Sequence, residues 1–274
     1  MRPERDNIAA PELPGRIKWL NREEPPKMTE LTARGPVLVH FFDPFQLNSV
    51  RALPYVTEWN RRYAGLGLTT LAIHSPRFAL TADAAIAREA IERLGIRHPV
   101  ALDLDYAIWQ DYGCKGWPSL FFWGQGGALR WAHSGEGEYA ATEEAIQEEL
   151  RLVNVAVELP PPMEPLRPTD APGALVPVPT PEAFPGGSAT EPWTPEAGGA
   201  DMLIEYAAGE AWAVVDGEGE VGVNVDGTPE RSVAVPPPAL VRLAGSGPHE
   251  SHAVELAVPE GVRVWAISFA PGIP

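Results

Sequence analysis

The run Val37-Leu38-Val39-His40-Phe41-Phe42 constrains the fold more than any other part of the chain. It has the length of a strand and almost no polar alternation, the pattern of a strand buried on both faces. A short loop carries it into a segment where Leu53, Val56, Trp59 and Tyr63 recur at helical spacing, which predicts a helix over Ser49–Tyr63. Pro54 stands inside that helix and removes one of its backbone hydrogen bonds. A strand buried on both faces that feeds a helix needs further helices to cover it, so the first half of the chain reads as α/β.

The alternation continues. Leu68–His74 is a second β-run, and Thr81 is placed to cap a helix whose Ile86, Ala90 and Leu94 share one face before Gly95 ends it. Val100–Leu102 is extended and Asp105–Tyr112 a short helix. Ser119–Trp123 and Leu129–His133 form a hairpin around Gly124-Gln125-Gly126-Gly127, where glycines supply positive φ. Thr142 is placed to cap a last helix, and Glu143, Glu144, Glu148 and Glu149 read as its solvated face. Residues 10–34, ahead of the first strand, read as an irregular lead-in.

The composition then changes. Residues 156–200 are rich in Pro and Gly, as in Pro177-Val178-Pro179-Thr180-Pro181, which predicts a stiff linker or a strap lying on the surface. Beyond it, short alternating runs such as Ala211–Val215, Val221–Val225 and Val262–Phe269 are separated by Asp216-Gly217 and Asp226-Gly227, with no helical period. The expected organisation is an α/β domain over 1–155, a linker or strap over 156–200, and an all-β sandwich over 201–274, jelly-roll-like in its strand spacing.

Charge and cysteine content narrow the functions. The chain has 274 residues and a formal net charge of -16, which argues against nucleic acid and anionic membranes as partners, since both require clustered Lys and Arg. No segment approaches the ~18 apolar residues of a membrane helix. No apolar h-region follows the first residues, so a cytoplasmic protein is the default expectation. Cys114 is the single cysteine, so no disulfide within the chain and no cysteine-based metal cluster can form.

The strand–loop–helix segment with Arg51 and Pro54, and the stretch Tyr112-Gly113-Cys114-Lys115-Gly116-Trp117-Pro118-Ser119-Leu120, together resemble the thioredoxin superfamily over Pro36 to Leu150. More narrowly, Trp19-Leu20-Asn21, the segment Ala101–Trp109, Gly135–Tyr139 and Thr180–Gly186 are similar to the soluble part of DipZ-type reductases, where a thioredoxin-like domain precedes a β-sandwich likened to carbohydrate-binding modules. The resemblance implies a thioredoxin-like α/β sandwich with a C-terminal β-sandwich, and a cis peptide before Pro118. It also places the family's two cysteines at Gln46 and Ser49, its buried carboxylate at His40, and the tryptophan two residues later at Phe42.

Those substitutions bear on the chemistry. Dithiol exchange needs a thiolate to attack a disulfide and a second thiol to resolve the mixed disulfide. Neither an amide at Gln46 nor an unactivated hydroxyl at Ser49 supplies one. The resemblance leaves a groove near Phe45, Gln46, Trp117 and Pro118 that would hold an extended peptide by its backbone, a role that needs no sulfur. The leading expectation is therefore a redox-inactive binding or scaffolding module for a peptide or protein, without cofactor or metal.

Alternatives stay open. Cys114, beside Lys115, is a candidate nucleophile for a single-cysteine thiol-dependent peroxidase or antioxidant redoxin, against the plainer reading of a partly buried apolar filler. Ser49 with His40 is a less favoured nucleophile–base pair, since His40 lies inside an apolar strand. Trp212 and Trp265 suit either glycan stacking or the core of a small sandwich. His249-Glu250-Ser251-His252 is a weak metal pattern that reads better as an exposed loop.

Overall fold

The structure is a computed structural model that describes residues 1–3, 8–245 and 247–274, with residue 230 described by its backbone. The chain divides into two compact units, one formed by residues 1–77 and 81–166, the other by 78–80 and 167–274.

The first unit is built on a six-stranded sheet in the order β1-β4-β3-β2-β5-β6. Its strands are β1 (Lys18–Leu20), β2 (Val37–Phe42), β3 (Thr69–His74), β4 (Val100–Leu102), β5 (Ser119–Trp123) and β6 (Leu129–Ser134). Strand β2 runs parallel to β3 and antiparallel to β5, and β3 runs parallel to β4. Among the described residues, five α-helices complete it: α1 (Met28–Arg34), α2 (Leu47–Tyr63), α3 (Ala84–Arg93), α4 (Ala107–Asp111) and α5 (Tyr139–Val153).

Every residue of β2 is buried, as its unbroken apolar run requires. The side chains divide by parity. Val37, Val39 and Phe41 join Met28 and Leu31 of α1 and Ile108 of α4 on one face. Leu38 packs with Val56 and Trp59 of α2 and Ile146 of α5 on the other, and Phe42 with Leu53 and Ile91. Fully burying a side chain such as Phe41 contributes about 1.5–3 kcal/mol.

Several local expectations are corrected. The lead-in holds β1 and α1, and α2 starts at Leu47. Asp83, not Thr81, caps α3, accepting the Ala85 and Ile86 amides at 2.7 and 3.3 Å. Helix α5 begins at Tyr139, which leaves Thr142 inside its first turn bonding back to the Glu138 carbonyl at 2.8 Å. Glu143 and Glu149 are buried rather than solvated. Glu149 accepts the Gln125 amide at 2.9 Å and pairs with Arg130. Glu143 accepts the Tyr63 hydroxyl at 2.6 Å and the Met163 amide at 2.8 Å. Proline carbonyls beside Met163 are met by donors that the prolines themselves lack: Gln147 Nε2 to Pro160 O at 3.0 Å and Arg62 to Pro161 O at 2.8 Å. The stretch up to Leu166 is thereby fastened to α2 and α5.

The second unit is all-β. Its strands are β7 (Ala200–Ala208), β8 (Glu210–Gly217), β9 (Gly219–Val225), β10 (Thr228–Val235), β11 (Ala239–Ala244), β12 (Glu250–Val258) and β13 (Val262–Ala270). They form a four-stranded sheet, β10-β9-β12-β7, and a three-stranded sheet, β11-β8-β13, enclosing Val215, Val223, Val254, Leu256, Val264 and Ile267. The turn Asp226-Gly227 has φ of 51° and 77°, the left-handed pair that a tight hairpin needs. Ala183 and Trp193, from the Pro- and Gly-rich stretch, pair with Ile267 and Val264 along β13.

Candidate functional site

The C-terminal ends of β2, β3 and β4 converge on the loop Ser75-Pro76-Arg77. The Ser75 amide donates to Phe42 O at 3.2 Å, and its hydroxyl donates to Asp103 at 3.0 Å. Trp117 Nε1 donates to Ser75 O at 2.8 Å, the Tyr106 hydroxyl donates to Pro76 O, and the Arg77 amide donates to Asp43 Oδ2 at 2.7 Å. Asp43 also accepts the Phe45 amide at 2.8 Å and the Thr81 hydroxyl, while Asp103 accepts the Ile108 and Trp109 amides, each at 2.9 Å. Both carboxylates are wholly buried. Burial of a charge is tolerable when each oxygen is met by donors, and bonds to an ionised acceptor are the stronger kind. Both residues sit just past strand ends, in Asp43-Pro44 and Asp103-Leu104-Asp105, the one signal by which the sequence could have announced them.

Helix α2 starts inside this network. Gln46 is its N-cap, and its side-chain oxygen accepts the Ser49 amide at 2.7 Å. Ser49 is wholly buried, and its hydroxyl oxygen accepts the Asp43 amide at 3.3 Å. Arg51, one turn on, pairs with Glu136 at 2.8 Å, and the neighbouring Gly135 amide donates to Pro118 O at 2.8 Å. The Trp117–Pro118 peptide is cis. The Trp117 indole lies stacked on Trp109 at 4.2 Å, with the Arg77 guanidinium 5.4 Å from its centre.

Comparison with known proteins adds to this geometry. No family model matches the sequence. DipZ of Mycobacterium tuberculosis is 26% identical across 95% of this chain, which spans 42% of DipZ's length. Thiol-disulfide oxidoreductase YkuV of Bacillus subtilis is 28% identical over 125 residues, 46% of this chain and 82% of YkuV. Among solved structures, a thioredoxin-like protein in its oxidised form is 26% identical, covers 53% of this chain and 95% of its own, and superimposes with a TM-score of 0.47. These similarities support a thioredoxin-like superfamily. Its layout, an α/β domain followed by a β domain, is DipZ-like.

The thioredoxin-like frame is thus present with a changed lining. Of the residues expected around a groove, Phe45, Gln46 and Pro118 are buried and Trp117 is half-buried between two neighbours. Cys114 lies elsewhere. It packs against the cluster of Val37, Val39 and Phe41, on the sheet face opposite α2, beside a cavity of about 660 Å³. Burial, reinforced by the negative charge of Asp103, pushes its thiol up to about 12. That is the opposite of an activated nucleophile, and Lys115 does not offset it.

His40 forms no pair with Ser49. It is wholly buried, neither ring nitrogen has a partner among the described residues, and burial together with the charge of His98 pushes it down to about 3. In the β unit, Trp265 is buried with Nε1 donating to Asp216 at 2.9 Å and Arg263 5.8 Å from its ring centre. Trp212 is half-buried and donates to Glu210 at 2.7 Å. The buried Trp265 has no open indole face for stacking on a sugar, whereas Trp212 keeps part of its surface exposed. His252 lies in β12 rather than in a loop and pairs with Asp226 at 2.7 Å. Among the described residues, no group of three or more His, Cys, Asp or Glu is arranged to hold a metal.

Proposed function

We propose that this chain is a redox-inactive thioredoxin-like protein that serves as a protein-binding or scaffolding module. The observation that carries the reading is the Gln46–Ser49 bond. The two positions that hold sulfur in the resembling reductases are here consumed in capping α2 and closing onto Asp43. The single thiol supports the same reading, since it lies across the sheet from α2 and is held protonated by burial. The burial of Phe45, Gln46 and Pro118 favours a rigid scaffold over an open peptide groove.

A pull-down with the full chain and with Trp117→Ala, both confirmed folded, tests the reading at this site. A scaffold keeps its partners in both. Loss of every partner on Trp117→Ala contradicts the scaffold and restores the groove.

A further inference from the structure

Sheet edges carry unpaired N–H and C=O groups, and folded proteins blunt them. Among the described residues, most edges of this chain are blunted. Strand β1 has 3 residues. Strand β6 is paired by the N-terminal residues, with the Ala132 amide donating to Met1 O at 3.0 Å and Leu129 to Ile8 O at 2.9 Å. Strand β10 contains Pro229 and a register shift, β11 has a register shift between Arg242 and Ala244, and β13 is paired by Ala183 and Trp193. Strand β7 differs: it runs for 9 residues in unbroken register with β12, from Ala200 opposite Val258 to Ala208 opposite Glu250.

The open side of β7 can be assigned residue by residue. Ala207 exchanges bonds with Thr180 on the side away from β12, its amide donating to Thr180 Oγ1 at 2.8 Å and its carbonyl accepting the Thr180 amide at 2.9 Å. Backbone groups of alternate residues point to the same side of a strand in an antiparallel ladder. The N–H and C=O of Asp201, Leu203 and Glu205 therefore face that side too, and none has a partner among the described residues. Their side chains are exposed on the outer face, Leu203 at 67%, while Met202 and Ile204 turn partly inward against the sandwich core.

We propose that the Asp201–Glu205 edge of β7 takes up an extended segment of a partner protein as an added strand. The segment carries Lys or Arg opposite Asp201 and Glu205 and apolar residues at the positions between. Main-chain bonds supply affinity in such strand addition and alternate side chains supply selectivity. Charge selects the occupant: antiparallel pairing of two copies about Leu203 sets Asp201 against Glu205 twice, and like charges directly opposite are destabilising. The net charge of -16 steers basic partners toward the chain and a second copy away. This inference stands without the reading of the Gln46–Ser49 site.

The test uses the full chain and fluorescence anisotropy with a labelled peptide Ser-Lys-Val-Leu-Val-Lys-Ser. Two controls accompany it: the same peptide with its central amides N-methylated, and one with Glu in place of Lys. The proposal expects the parent to bind and the methylated peptide to bind about tenfold more weakly or worse, since each lost net hydrogen bond is worth up to ~1.5 kcal/mol. The double variant Asp201→Lys with Glu205→Lys, confirmed folded, is expected to reverse the preference toward the Glu peptide. Equal binding of parent and methylated peptides overturns the proposal, as does absence of binding at millimolar peptide. Self-association of the chain that Leu203→Pro abolishes, seen by sedimentation, overturns the choice of occupant.

Discussion

The side-chain oxygen of Gln46 accepts the backbone N–H of Ser49 at 2.7 Å, so the two positions expected to carry sulfur chemistry hold each other at the start of α2. Helix N-termini leave orphan amides, and an N-cap acceptor satisfies one of them. Replacing Gln46 with Ala is expected to lower unfolding free energy by about 1 kcal/mol, the usual loss for a capping side chain. Urea denaturation of the two proteins measures it. An unchanged midpoint would show the cap to be dispensable.

Asp43 is expected to matter more. It meets the Phe45 and Arg77 amides and the Thr81 hydroxyl in a wholly buried setting. Each buried donor stranded without a partner costs about 1–3 kcal/mol, so Asp43→Ala is predicted to lose more than about 3 kcal/mol. Hydrogen exchange at Phe45 and Arg77 should accelerate in the same variant. A loss below about 1 kcal/mol would show that water or a neighbouring side chain replaces the carboxylate.

The fold was legible where apolar pattern fixes burial. Val37–Phe42 and Leu53, Val56, Trp59 and Tyr63 read correctly because burial on a sheet face and on a helix stripe leaves distinct periods. Caps were less legible: Thr81 and Asp83 are both good N-caps, and the choice went to Asp83 because Asp43 engages the Thr81 hydroxyl. The Asp43 and Asp103 network was illegible because its partners are mostly backbone amides, which no side-chain pattern reveals. Glu143 and Glu149 looked solvated because nothing in α5 announces that Tyr63, Met163 and Gln125 come to meet them.

His40 predicts an acid response. Burial and the charge of His98 hold it down to about 3 in the folded state, against about 6.5 when unfolded, and burial holds His98 down to about 4. The unfolded chain therefore binds more protons below pH ~6.5, so stability is intact above that pH and falls progressively as the pH drops toward the folded values. The variant His40→Leu should flatten the decline between pH ~6.5 and pH 4, as read from thermal melts. An identical pH profile in the variant would remove His40 from the account.

Cys114 predicts a silent thiol. Because burial pushes it up to about 12, its stability contribution is present below the unfolded value of about 8.5 and is lost as pH rises from there toward the folded value. Iodoacetamide at pH 7.5 should label the native chain far more slowly than the urea-unfolded chain. Labelling at the rate of the unfolded thiol would place a reactive cysteine in the folded protein.

Dithiothreitol-driven reduction of insulin tests directly whether this thioredoxin-like chain exchanges disulfides. The expected result for the wild-type chain is the uncatalysed rate, unchanged in Cys114→Ser. Reduction above background that disappears in Cys114→Ser would contradict it.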